Sequence, residues 1–167
     1  NALLTILNER VYHNNNNGSP KQVPLMSLFG ASNEYPDADE GLDALFDRFL
    51  IRFEVKPISE ERSFETMLSN SLNGVNNTQN TFITTENLNN LQDLATKVTV
   101  PMDVIQEMSQ IKYDLSQEGI FPTDRRWVES LKVIKANACY KGKSTADVSD
   151  LDILKHILWK SNDEIIT

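Results

Sequence analysis

Apolar positions change from a strand-like to a helix-like pattern within residues 25–55. Residues 25–31 form an apolar run interrupted only by a serine and a glycine, which is typical of a strand covered on both faces in a parallel sheet. Helical spacing follows at 41–49, and alternation at 51–55 predicts a second strand. The eighteen residues from 32 to 49 allow a right-handed crossover through the short helix. The pattern therefore predicts a βαβ unit.

The N-terminal residues predict a helix and a hairpin. Residues 2–7 carry apolar side chains at helical spacing. Residues 11–13 and 21–23 have strand composition on either side of the turn-rich segment 14–20. A polar loop without regular structure is the alternative for this segment, because four asparagines follow one another there.

The chain is helical in character after Lys56-Pro57, where proline ends any strand pairing. Periodic apolar residues predict a helix over 60–72 and four more helices after it. The residues expected to open those four helices are Thr84 or Thr85, Pro101, Thr123 and Ser149. The fold class is therefore mixed α/β and all-α, with two strands of a parallel sheet over residues 1–56 and a helical bundle over residues 57–167.

Composition narrows the class of protein. The chain has 167 residues and a formal net charge of −8, which speaks against non-specific binding to nucleic acid. It has no apolar run of membrane-spanning length. A single cysteine, Cys139, excludes an internal disulfide and favours a reducing, cytoplasmic location.

Four sequence blocks resemble MoxR-type AAA+ ATPases. GASNE followed by LFDRFLIRF (30–34 and 45–53) resembles the stretch from sensor 1 to the arginine finger. NALLTILNERVYHN at the start resembles the helix and hairpin between the Walker B strand and sensor 1. PTDRRW and VSDLDILKHILW, near the C-terminus, point to the RavA-like (regulatory ATPase variant) branch. The resemblance implies that residues 1–56 are the C-terminal part of the AAA+ α/β core and residues 57–167 the helical lid.

Asn33 is the candidate sensor 1 residue. It follows the predicted strand at 25–31, and open α/β sheets bind ligands beyond the carboxyl ends of their strands. Its neutral amide is able to hydrogen-bond both an attacking water and a γ-phosphate oxygen. The alternative is a turn residue, because Ser-Asn-Glu is also common in turns.

Arg48 is the candidate arginine finger, which in the family reaches the γ-phosphate bound to a neighbouring subunit. Such a residue can be worth about 10³ to 10⁵ in rate. The alternative is a surface ion pair with Asp43 or Asp47, worth under about 1 kcal/mol. Arg52 is expected on the exposed face of the second strand, in a structural role.

Arg125 and Arg126 are the candidate nucleotide-binding residues of the lid. Both fall in the first turn of a predicted helix, where the helix dipole disfavours cations unless an anion is bound. The resemblance makes Arg125 the sensor 2 residue, with Arg126 as the alternative. Ion pairing with Asp124 and Glu129 is a third interpretation. No cluster at metal-ligand spacing is present, so no metal site is predicted.

The sequence contains neither a G-x-x-x-x-G-K-[ST] loop nor an apolar strand ending in an Asp-Glu pair. In the family both precede the segment that matches residue 1. We therefore expect the chain alone neither to bind Mg-ATP well nor to hydrolyse it, and ATP and Mg²⁺ to be cofactors of the intact parent.

The resemblance implies that the parent is a ring-type homo-oligomeric ATP hydrolase. It would remodel client proteins in a chaperone-like way, often alongside proteins with von Willebrand factor A domains. Two alternatives remain open. One is a non-enzymatic helical interaction module, and the other is a magnesium-chelatase-like motor subunit.

Overall fold

The computed structural model describes residues 2–13, 19–33, 43–74, 82–159 and 164. Helices dominate it, and one two-stranded sheet lies near the N-terminus. None of the helices in these ranges is long and apolar enough to cross a membrane. In chain order the elements are α1 (Ala2–Glu9), β1 (Val11–Tyr12), β2 (Lys21–Gln22), α2 (Asp43–Phe46), α3 (Glu61–Asn73), α4 (Thr85–Lys97), α5 (Met102–Gln117), α6 (Asp124–Tyr140) and a 3₁₀ helix (Val148–His156).

The predicted N-terminal hairpin is confirmed. Strands β1 and β2 are antiparallel, with Val11 opposite Gln22 and Tyr12 opposite Lys21. The N–H of Val23 adds a backbone bond of 2.7 Å to the carbonyl of Arg10. The turn residues 14–18 lie outside the described ranges.

The predicted pair of parallel strands is not observed. The only paired strands in the described ranges are antiparallel. Residues 25–31 and 51–55 carry no strand, and Phe29 and Val55 are 92% and 91% exposed. A strand needs a neighbouring strand that pairs with its N–H and C=O groups, and no described strand pairs with either segment. The short helix predicted between them is observed as α2.

The predicted helices after residue 56 are confirmed, together with most of their starts. The hydroxyl of Thr84 accepts from the N–H of Asn87 at 3.1 Å, and Thr123 caps α6 by accepting from the N–H of Arg126. Pro101 directly precedes α5. The division at residue 56 stays a prediction.

The start of the last helix differs from the prediction. Asp147, and not Ser149, is its N-cap, because the Asp147 carboxylate accepts from the N–H of Ser149 at 2.9 Å. The Asp150 carboxylate in turn accepts a hydrogen bond from the N–H of Asp147 at 3.0 Å. Two carboxylates thus satisfy N–H groups at the helix start, and the helix is 3₁₀ rather than α.

The hydrophobic core lies between α5, α6 and the 3₁₀ helix, and α4 packs beside α6 without contributing a buried residue. Leu50, which precedes these helices in the chain, packs against this core. Helix α3 contributes no buried residue. The buried members of the core are Val98, Val104, Met108, Trp127, Ile134, Ala138, Ala146, Leu151, Leu154, Ile157 and Leu158.

A charged network holds the 3₁₀ helix to the end of α6. Asp150 is fully buried and accepts from Lys141 at 2.8 Å and from Lys143 at 3.0 Å. Burial raises the pKa of Asp150, but the hydrogen bonds from Lys141, the Asp147 N–H and Lys143 outweigh it, so the pKa is lowered. The hydrogen bond from Lys143, followed by that from Ser149, lowers the pKa of Asp147 to about 2.

This network predicts a loss of stability in acid. Because the pKa of Asp147 is lower in the folded state than its ordinary value of 3.8, its contribution is complete above about pH 4 and is lost as the pH falls towards about 2. We therefore expect the melting temperature of the wild-type chain to exceed that of Asp147→Asn at neutral pH, and the gap to shrink in acid. Thermal unfolding followed by circular dichroism measures both profiles. A gap that stays constant down to about pH 2 would contradict this account.

Candidate functional site

The candidate site lies where the first turn of α6 meets the segment that follows α2. Its centre is Arg126, whose side chain is 1% exposed and which forms an ion pair with Asp47 at 3.1 Å. Its Nε donates to the carbonyl of Ile157 at 2.8 Å, and its Nη2 donates to the carbonyl of Leu50 at 2.9 Å. Arg126 therefore bridges the start of α6, the end of the 3₁₀ helix and residues 47–50.

Arg126 is buried because of its place on α6. It lies four, eight and twelve residues before Ser130, Ile134 and Ala138, and all of these are buried. This spacing keeps the four side chains on one helical face.

Arg125 has the opposite environment. Its side chain is exposed, and no described residue hydrogen-bonds or ion-pairs with it. The acids proposed as its partners bind elsewhere, since Asp124 accepts from Lys112 at 2.9 Å and Glu129 accepts from Lys132 at 2.7 Å. Of the two neighbouring arginines, Arg125 is thus the one whose donors face solvent.

Arg48 lies in the turn after α2 and is partly exposed. Its Nε donates to Oδ1 of Asn8 at 3.1 Å, which connects this turn to α1. Asp47, one of the two acids considered as its ion-pair partner, instead binds Arg126. Asp43, the other acid, is not among the residues whose side chains the structure describes.

The prediction for Arg52 was wrong in its location. Arg52 is 7% exposed and lies outside any strand. Its Nη1 donates to the carbonyl of Trp159 at 2.7 Å, its Nη2 donates to that of Phe46 at 2.9 Å, and its guanidinium lies 4.2 Å from the Phe46 ring centroid. The side chain is therefore turned inwards onto backbone carbonyls rather than lying on an exposed strand face. The alternation of polar and apolar residues at 51–55, from which the strand was predicted, does not indicate partners so distant in sequence.

Asn33 is exposed at the end of the described segment 19–33. Three residues earlier, Gly30 lies against Phe49, where an added Cβ would be 3.0 Å from Cε1 of the ring. Glycine therefore permits this close approach. Through this contact and the Asp47–Arg126 pair, the structure connects the segments that carry Asn33, Arg48 and Arg125.

The chemistry at the start of α6 suits an anion. An exposed guanidinium in the first turn of the 17-residue helix α6 is a suitable donor for phosphate oxygens. Within the described ranges, no group of three or more His, Cys, Asp or Glu side chains is arranged to hold a metal ion.

Comparison with known proteins identifies the family. The family described as "MoxR domain in the MoxR-vWA-beta-propeller ternary systems" matches residues 1–93, and the AAA lid domain matches residues 103–167. The chain belongs to the MoxR family of AAA+ ATPases. Two similar proteins of Methanocaldococcus jannaschii are the uncharacterized proteins MJ0812, 43% identical over 98% of the chain, and MJ0079, 41% identical over 99%. The MoxR chain spans 42% of the length of each.

The contacts of the two neighbouring arginines predict very different effects of their removal on the stability of the MoxR chain. Arg126→Ala leaves the Asp47 carboxylate and two carbonyls without their buried donor, so we expect a loss of about 3–5 kcal/mol in the free energy of unfolding. Arg125→Ala removes an exposed side chain and should change it by less than about 0.5 kcal/mol. Urea unfolding of the two variants provides the comparison. Equal losses, or a larger loss for Arg125→Ala, would contradict these assignments.

Proposed function

We propose that this chain is the C-terminal part of the motor of an AAA+ ATPase, with Arg125 as the lid residue that contacts ATP bound to the same subunit. The observation that carries the proposal is the contrast at the start of α6. Arg126 is buried and bonded within the chain, whereas Arg125 is exposed and lacks a bonded partner among the described residues. The sensor 2 role therefore belongs to Arg125, and Arg126 supports it.

Physical chemistry favours an anion beside Arg125. The first turn of a helix carries unsatisfied N–H groups and the positive end of the helix dipole. A cation placed there without a counter-charge is unfavourable, and a bound phosphate removes that cost while gaining charge-assisted hydrogen bonds. Asp124 does not neutralise Arg125, because it is paired with Lys112.

Arg48 and Asn33 complete the proposed site. Arg48 acts as the arginine finger for the neighbouring subunit and neutralises charge on the transferred phosphoryl group. Support comes from its partial exposure and from Asn8, which holds Nε of its side chain on one side. Asn33, whose side chain is exposed, orients the attacking water with its amide.

The action in trans requires assembly, so we propose a ring-type homo-oligomer. In the intact protein ATP supplies the phosphoryl group and Mg²⁺ neutralises its oxygens, while the residues of this chain orient the water and donate to the phosphates. We further propose that the work is chaperone-like remodelling of client proteins in the cytoplasm. The family description supports partners with von Willebrand factor A domains. PTDRRW and VSDLDILKHILW support the RavA-like branch.

Helix α3 supports a second candidate, a non-enzymatic interaction module. No residue of α3 is buried, and the side chains of Phe64, Met67, Leu68 and Leu72 are 44–88% exposed on one face. Such a face is typical of a helix that binds a partner. Turnover of ATP separates the two candidates, because an interaction module has none that depends on Arg48 or Arg125.

The ATPase proposal predicts a large effect at both arginines in the intact protein. Arg48→Ala should lower ATP turnover by about 10³-fold or more. Arg125→Ala should raise the KM for ATP and lower turnover, because its guanidinium touches the nucleotide. Arg62→Ala, on exposed α3, is the matched control and should leave both parameters within about twofold. Steady-state phosphate release measures all three. Wild-type turnover in both Arg48→Ala and Arg125→Ala would contradict the ATPase proposal.

A further inference from the structure

A buried ion pair lies between the two arginines of the proposed site. Asp47 immediately precedes Arg48 in the chain, and Arg126 immediately follows Arg125. The Asp47 carboxylate and the Arg126 guanidinium are 3.1 Å apart, and their side chains are 26% and 1% exposed. The two proposed nucleotide-contacting arginines are therefore each one residue away from a member of this ion pair.

The contacts around this pair make it rigid. Arg126 also donates to the carbonyls of Ile157 and Leu50, so a movement of its guanidinium breaks several charge-assisted hydrogen bonds at once. Leu50 packs against the hydrophobic core of the helical part. The exclusion of water from the guanidinium, which is 1% exposed, strengthens each of these bonds. A shift of the first turn of α6 must therefore carry Asp47 with it.

We propose that Asp47 and Arg126 are positioning residues that couple the two nucleotide sites of each subunit. When Arg125 engages ATP, the displacement of the first turn of α6 passes through the Arg126–Asp47 pair to the turn that carries Arg48. The arginine finger then reaches the neighbouring nucleotide in its productive position. This inference rests on the proposed ATPase function, because it requires Arg48 and Arg125 to bind nucleotide. The coupling is a free energy shared between two sites.

Asp47 is the residue through which to test the coupling. It is only partly buried, so Asp47→Asn removes the charge while keeping the size and one acceptor oxygen for Arg126. In the intact, assembled protein we expect this variant to lower kcat by about tenfold and to leave the KM for ATP within about twofold, since Arg125 still binds the nucleotide. Asp47→Glu keeps the charge and should retain more of kcat than Asp47→Asn. The matched control is Asp152→Asn, which breaks an exposed pair with Lys155 on the 3₁₀ helix and should leave both parameters unchanged.

The same substitution in an Arg48→Ala background separates positioning from general destabilisation. If Asp47 acts through Arg48, Asp47→Asn has no further effect on kcat once Arg48 is absent. If Asp47 only stabilises the fold, the same loss appears in both backgrounds, and the inference is overturned. Wild-type kcat in Asp47→Asn together with impaired Arg48→Ala and Arg125→Ala variants also overturns it, while the ATPase proposal stands. Unimpaired Arg48→Ala and Arg125→Ala variants overturn the ATPase proposal and this inference with it.

Discussion

Two buried guanidiniums join the segment after α2 to the helical part of the chain, and the rest of the site depends on them. Arg126 binds the carbonyl of Ile157 and Arg52 binds that of Trp159, so both anchor the same C-terminal stretch. On the other side they bind the carbonyls of Leu50 and Phe46. A buried arginine is costly unless its donors are satisfied. These two arginines satisfy this requirement by donating to backbone carbonyls on both sides of the contact.

The turn carrying Arg48 is thereby held to the helical part through the contacts of Phe46, Asp47 and Leu50 with the two arginines. Arg125 projects from that same helical part, one residue before the anchor Arg126. In the proposed function, Arg48 would therefore respond together with the helical part when Arg125 binds the nucleotide. The contacts of Arg52 and Arg126 with Phe46, Asp47, Leu50, Ile157 and Trp159 form the joint between the two parts. The exposed Phe29 and Val55 are not part of this joint.

Sequence patterns correctly predicted the elements that depend on interactions between residues close in sequence. The hairpin, the helices after residue 60 and the caps at Thr84 and Thr123 follow from turn chemistry, periodicity and hydroxyl acceptors close in sequence. The prediction of two parallel strands was wrong because a strand forms only when a distant segment pairs with it. The apolar run at 25–31 gives no information about that partner.

The candidate site was predictable only in part. Exposure of Arg125 agrees with its helical angle opposite Trp127. The burial of Arg52 and Arg126 was not predictable, because arginine is ordinarily exposed and the groups that hold these two lie far away in sequence. Asp47 and Arg126 are 79 positions apart, and Arg52 and Trp159 are 107 apart. Amino-acid composition and residue spacing do not identify contacts between residues so far apart in sequence.

Native-state hydrogen exchange at the backbone N–H of Arg52 tests the central claim most directly. This N–H donates to the carbonyl of His156 at 2.8 Å, across the joint that the two arginines form. If the segment after α2 belongs to the helical part, the Arg52 amide exchanges only when that part opens, with the same free energy of opening as the amide of Ile134 in the core. Exchange as fast as that of the exposed Val55 amide would show that the joint opens freely, and would contradict the account.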